Sequence, residues 1–152
     1  MIVLGIDTST EQTSVALGTE REIVGEARFA GARKHDDVVP AIERLLEWTG
    51  IELTHLGGVA VGIGPGLYTG LRVGVEAAKA LAQVLGVPIV GICSLDVLAF
   101  GVQHTGRLIV AVIDARRHEV FYGLYRPVPG GVMRGGEYGV ATPAALAAEL
   151  EI

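Results

Sequence analysis

The period of apolar positions changes several times along the chain, and each change marks an element. Ile2–Asp7 is a short apolar run that ends in a carboxylate, residues 13–18 alternate, and residues 22–29 read as a third, weaker strand. The connections between these runs are too short for helices, so the pattern predicts an antiparallel meander. A dinucleotide-binding unit of the Rossmann type would instead start strand-helix-strand, with its glycine loop after the first strand. Next, Val38, Val39, Ile42, Leu45 and Leu46 fall on one face at three-four spacing, with Glu43, Arg44 and Glu47 opposite. That predicts a helix to about Thr49, capped by Asp36 or Asp37, with Pro40 in its first turn and Gly50 ending it.

The stretch Val59-Ala-Val-Gly-Ile-Gly64 has strand character and runs into Pro65, Gly66, Leu67, Tyr68, Thr69 and Gly70 before a long alanine-rich segment. This reads as strand, glycine loop and helix N-terminus. Two readings of the loop stand side by side. Glycine lets an anion approach the free N–H groups of a helix start, or it serves only the geometry of the turn. The next helix, residues 69–85, has one narrow polar stripe of Arg72, Glu76, Lys79 and Gln83. A helix so apolar around its girth is buried on more than one side, against its own sheet and against a second chain.

Residues 87–93 form another strand, and Ser94 is expected to cap a helix over 95–104 with Leu95, Leu98, Ala99 and Val102 inward. From Gly106 the opening theme repeats: a strand ends in Asp114, turns through Ala115-Arg-Arg-His, and returns over 119–125. A third strand is expected over 132–140, and then a helix capped by Thr142-Pro143. The expected organisation is a first lobe over 1–105 and a partial second lobe over 106–152, facing a cleft.

Composition narrows the chemistry. The chain has 152 residues, half of them hydrophobic, and a net charge of −5, so it exerts no global pull on nucleic acid or an anionic membrane. No apolar run reaches the ~18 residues of a spanning helix, and no basic leader precedes the first strand. A single cysteine, Cys93, allows no internal disulfide, and a cytoplasmic location fits best. His35 and His55 stand alone, short of the three or four ligands of a zinc site, so no metal is expected. Ser94 lacks a nucleophile elbow, and neither an HExxH motif nor a serine triad is evident, so no catalytic residue is assigned. Asp7, Thr8 and Ser9 either cradle a phosphate with hydroxyls and N–H groups or bond their own turn.

Together, Leu4-Gly-Ile-Asp-Thr-Ser9, Gly64-Pro-Gly-Leu-Tyr-Thr-Gly-Leu-Arg-Val-Gly74, Ser94-Leu-Asp-Val-Leu-Ala99 and Asp114-Ala-Arg116 resemble the TsaB (YeaZ) family over essentially the whole chain. The resemblance implies an α/β, actin/Hsp70-like fold of ribonuclease-H-like lobes, with a mixed sheet and an N-terminal antiparallel meander; the second lobe is expected to be shortened here, a departure from the family. It implies a non-catalytic subunit of the bacterial machinery that makes threonylcarbamoyladenosine in tRNA. The partners implied are a TsaD-like catalytic subunit and a TsaE-like ATPase, with tRNA reached only through the complex. TsaD carries a metal-binding HxxxH pair on its first helix; here the nearest counterpart, His35, is followed four residues on by Val39.

Family members homodimerise through their first two helices. The residues implied for that interface are Val38, Ile42, Leu46, Arg72, Val75, Glu76, Ala78 and Lys79. No cofactor is required in this picture; ATP or ADP would be held weakly, with the partner present, by Asp7, Thr8, Ser9 and Thr10 and by Asp114 and Arg116 across the cleft. The alternative is an ATP-dependent small-molecule phosphotransferase of the same broad fold, with Asp7 and Asp114 as its carboxylates. The short second lobe argues against it, and a peptidase has no motif to support it.

Overall fold

Alternation along the first two strands sets the core of the first sheet. β1 (Ile2–Asp7) and β2 (Gln12–Gly18) run antiparallel with Leu4 opposite Leu17 and Ile6 opposite Val15, and all four side chains are buried. Successive strand residues point to opposite faces, so Gly5 and Ala16 pair on the other side. β3 (Ile23–Ala30) continues the meander, while β4 (Leu56–Gly64) lies parallel to β1 and β5 (Ile89–Cys93) lies beyond it. The sheet order is β3-β2-β1-β4-β5, a mixed sheet with the meander at one side. The computed structural model describes residues 1–30 and 38–150; His35 and the expected caps Asp36 and Asp37 lie outside them.

α1 (Val38–Thr49) packs on β2 and β3, and α2 (Tyr68–Leu85) on β4 and β1. α1 buries Val38, Ala41, Ile42 and Leu45. Val39, expected inward, is 53% exposed, because the stripe that starts at Val38 runs 38, 41, 42, 45 and leaves position 39 about 100° away. α2 buries Gly70, Gly74, Ala78 and Ala82, one small residue every fourth position, so its backbone comes close to the sheet. Both helices end on a left-handed glycine, Gly50 at φ 67° and Gly86 at φ 65°, where a side chain would clash with the adjoining carbonyl.

The unit Met1–Ile92 is succeeded by a second, Cys93–Ile152. Its sheet is the long hairpin of β6 (Ile109–Arg116) and β7 (Glu119–Val128), with β8 (Gly131–Arg134) and β9 (Gly139–Ala141) both paired to β7. The single strand expected over 132–140 is thus two, divided where Gly135 and Gly136 weaken strand character. α3 (Ser94–Phe100) and α4 (Pro143–Leu150) complete the unit. Leu95 and Ala99 of α3 share a core with Ile109, Ala111 and Tyr125, which moves the division expected at 105/106 to 92/93.

α3 is also shorter than expected. It stops at Phe100 before Gly101, and Leu98 and Val102 are exposed. Ser94 does not cap it: the helix begins at Ser94 itself, and its buried hydroxyl has no hydrogen-bond partner among the described residues. Thr142 does cap α4, its Oγ1 accepting from the Ala145 N–H at 3.2 Å.

Candidate functional site

The glycine motif of the first unit closes on the turn after β1. Gly64 takes φ 99°, open to glycine and strained for other residues. A Cβ on Gly66 would strike the Ser9 carbonyl oxygen, one on Gly74 would strike Thr8 Oγ1, and one on Gly62 would sit 2.7 Å from Asp7 Oδ1. Three glycines of the motif therefore make room for Asp7, Thr8 and Ser9. The fit is bonded as well as shaped. Thr8 Oγ1 donates to the Gly70 carbonyl at 2.7 Å, and the Leu67 N–H donates to the Ser9 carbonyl at 2.7 Å. The glycines of the loop thus admit the chain's own turn after β1.

This bears on the residues expected to hold a nucleotide. Thr8 and Ser9 are each 3% exposed, and the Thr8 hydroxyl is already engaged, so these two side chains are turned inward. Asp7 is half-buried, with Oδ1 accepting from the Ser9 N–H at 2.9 Å. Thr10 is exposed, and its Oγ1 accepts from the Gln12 N–H at 3.1 Å. In the second unit Asp114 repeats the bond of Asp7: its Oδ1 accepts from the Arg116 N–H at 2.7 Å. The two strand-end aspartates thus turn their chains by the same local contact, the Asx-turn.

The backbone beyond Asp114 has no counterpart after Asp7. Arg116, Arg117 and His118 take φ 64°, 52° and 65° in succession, and all three are exposed. Left-handed backbone costs a non-glycine residue roughly 1–2 kcal/mol, and a turn of this hand ordinarily carries glycine or asparagine. Arg117 and His118 were absent from the expected site residues. The signal that marks them is a hairpin turn spelled with two arginines and a histidine.

On the outer face of α2 a shallow groove of about 380 Å³ is lined by Ile63, Tyr68, Leu71, Arg72, Val75, Glu76 and Lys79. Tyr68 is 74% exposed and Ile63 is 56% exposed. The Arg72 guanidinium lies 5.8 Å from the centre of the Tyr68 ring and 3.7 Å from Glu76 Oε1. Of the residues implied for an interface, Arg72, Val75, Glu76 and Lys79 line this groove, and Thr69 lies exposed beside it. Val38, Ile42 and Ala78 do not face outward. They are buried in the core of their own unit, a correction that results from the small-residue stripe and from the phase of α1. Leu46 is half-buried.

A polar cluster in the second unit was not foreseen. Asp96 Oδ1 accepts from Tyr125 Oη at 2.7 Å and from Tyr138 Oη at 2.8 Å, and the Arg134 guanidinium lies 4.0 Å over the Tyr138 ring. Burial, then the bond to Asp96, pushes the Tyr125 phenol well above its ordinary value. For Tyr138 burial again leads, ahead of hydrogen bonds to Cys93 and Asp96. A phenol raised on folding stabilises the fold fully below its unfolded value near 10, and that contribution is lost as pH rises through the folded value. The second unit is therefore expected to lose stability above about pH 10. Denaturant melts from pH 8 to 12 check this, with the alkaline loss smaller in Tyr125→Phe.

His55 is exposed at the end of a short 3-10 turn, Leu53–His55. Among the described residues no group of three His, Cys, Asp or Glu side chains could hold a metal ion, and no helix is long and apolar enough to cross a membrane.

Comparison with known proteins gives concordant matches. Residues 28–147 match the family described as TsaD: tRNA N6-adenosine threonylcarbamoyltransferase. The tRNA threonylcarbamoyladenosine biosynthesis protein TsaB of Escherichia coli is 32% identical over 90% of this chain and 60% of its own length. That of Bacillus subtilis is 38% identical over 83% of this chain and 56% of its own. The chain thus spans a little over half the length of these curated relatives. The solved structure of YeaZ from Pseudomonas aeruginosa superimposes with a TM-score of 0.85 at 32% identity, over 93% of this chain and 68% of that one. In fold alone, the activator of 2-hydroxyisocaproyl-CoA dehydratase from Clostridium difficile is similar at a TM-score of 0.56 and 16% identity, over the whole of this chain and 53% of that one.

Proposed function

The chain belongs to the TsaB/YeaZ family, and on that premise we propose that it is a non-catalytic partner that binds and activates a TsaD-like catalytic subunit in the threonylcarbamoylation of adenosine in tRNA. The observation that carries this reading is the outer face of α2. There an exposed tyrosine and isoleucine flank Arg72, Glu76 and Lys79 around a shallow groove. Exposed aromatic and arginine side chains on an apolar floor are the composition of interface hot spots. Alone, the chain presents the same face to a second copy of itself.

A TsaE-like ATPase joins the complex in this reading, which operates in the cytoplasm, and the chain needs no cofactor of its own. Nucleotide is held weakly at most, and only with the partner present. A phosphotransferase is the poorer reading, because the Thr8 and Ser9 side chains that would line its phosphate loop are packed into the chain's own glycine motif. Reconstitution tests the proposal: threonylcarbamoyl transfer to tRNA by TsaD-like and TsaE-like subunits is measured with and without this chain. The expected result is a rise of at least tenfold on adding it, and no ATP turnover by the chain alone. ATP-dependent phosphorylation of a small acceptor by the chain alone would overturn it.

A further inference from the structure

We propose that, within the complex with the TsaD-like subunit, the tip of the β6–β7 hairpin, Arg116-Arg117-His118, contacts the phosphodiester backbone of an RNA, which under the function proposed above is the tRNA substrate. Three successive side chains are held on left-handed backbone at φ 64°, 52° and 65°, where glycine or asparagine would make the same turn without strain. Inside the unit, Asp114 Oδ1 accepts from the Arg116 N–H and so closes the start of the turn. That bond needs the aspartate and a backbone amide, and it places no demand on the arginine and histidine side chains.

The side chains themselves are exposed, and among the described residues neither guanidinium forms an ion pair. Glu119 stands opposite Arg116 in the strand register without pairing to it. In a chain with 12 Lys and Arg against 17 Asp and Glu, two unpaired arginines and a ring N–H donor are presented side by side at one hairpin end. Guanidinium groups bind phosphate oxygens in pairs of parallel hydrogen bonds. A nucleic-acid backbone presents phosphate oxygens in a row, the acceptors that adjacent guanidinium and ring N–H donors bind.

The test uses this chain together with the TsaD-like subunit and labelled tRNA, with affinity read by fluorescence anisotropy across a potassium chloride series. Each phosphate contact removed lowers the slope of log K against log salt by roughly 0.7–0.9. Arg116→Ala/Arg117→Ala is expected to reduce the slope by about 1.4–1.8 and to weaken binding at least tenfold at low salt. Arg116→Lys/Arg117→Lys should keep the slope. An unchanged slope and affinity in the alanine variant would overturn the proposal. So would a variant that binds tRNA normally and loses ATP or ADP binding by calorimetry, since the tip would then be a nucleotide contact. Light scattering on the same samples separates the two levels. Absence of a complex with the wild-type chain counts against the proposed function and removes this inference with it, whereas an intact complex with an unchanged salt slope removes only the assignment of the tip.

Discussion

Gly74→Ala is expected to lower the stability of the first unit by about 2–3 kcal/mol, against the usual trend inside a helix, where alanine is favoured over glycine by about 1 kcal/mol. The new Cβ would collide with Thr8 Oγ1, and Thr8 cannot swing away without giving up its bond to the Gly70 carbonyl. Backbone relief is closed too, because Leu67 at the start of α2 is tied to the Ser9 carbonyl. Thr8→Ala alone loses one buried hydrogen bond, about 1–2 kcal/mol. In the double variant the oxygen that the Cβ would strike is gone. The two losses should therefore fall short of additive by at least ~1 kcal/mol in a double-mutant cycle read by urea unfolding. Strict additivity would mean that Gly74 is needed for a reason other than Thr8.

Tyr68→Ala is expected to weaken association with a TsaD-like partner by 10- to 100-fold, or about 1.4–2.7 kcal/mol, while the melting behaviour of the chain stays within error of wild type. Tyr68 is 74% exposed, so it contributes little to its own fold, and its contact with Arg72 at 5.8 Å contributes about 0.5 kcal/mol at such a site. The separation of binding from folding is what makes the position informative. Ala78, which the family resemblance also implied for a contact, offers no such separation. It is fully buried, and a charge placed there would act first on the core. Titration of the labelled partner, with a thermal scan of each variant alone, checks the expectation. An unchanged affinity would place the contact elsewhere than the α2 groove.

Local chemistry made much of this readable in the sequence. The two strand-end aspartates each bond an amide two residues on, the stop at Gly50 is a single-residue signal, and the meander joins strands that follow one another in the chain. The features that escaped were set by partners distant along the chain. The pattern gave α2 too many apolar faces and could not say which one the sheet would take. That was decided by a buried line of Gly70, Gly74, Ala78 and Ala82, of which Gly70 and Gly74 meet Thr8 in the turn after β1, with Thr8 and Gly70 sixty-two residues apart. Thr8 and Ser9 were legible as turn residues and also as phosphate ligands; that their side chains would pack against the glycine loop, with Thr8 bonded to Gly70, was not. The bonds of Tyr125 and Tyr138 to Asp96 span 29 and 42 residues and leave no periodic trace. The left-handed run at Arg116 to His118 was missed for the opposite reason: it is local, but it is written in residues that seldom take that conformation.

The central claim is that this chain works by binding a TsaD-like subunit through the outer face of α2. It is tested most directly by size-exclusion chromatography with light scattering on an equimolar mixture of the two proteins. The account predicts one peak with the summed mass of one copy of each, shifted toward the separate species by Tyr68→Ala. Two separate peaks from the wild-type mixture, with the chain folded and both proteins at tens of micromolar, about where a ~1 μM interaction saturates, would contradict it.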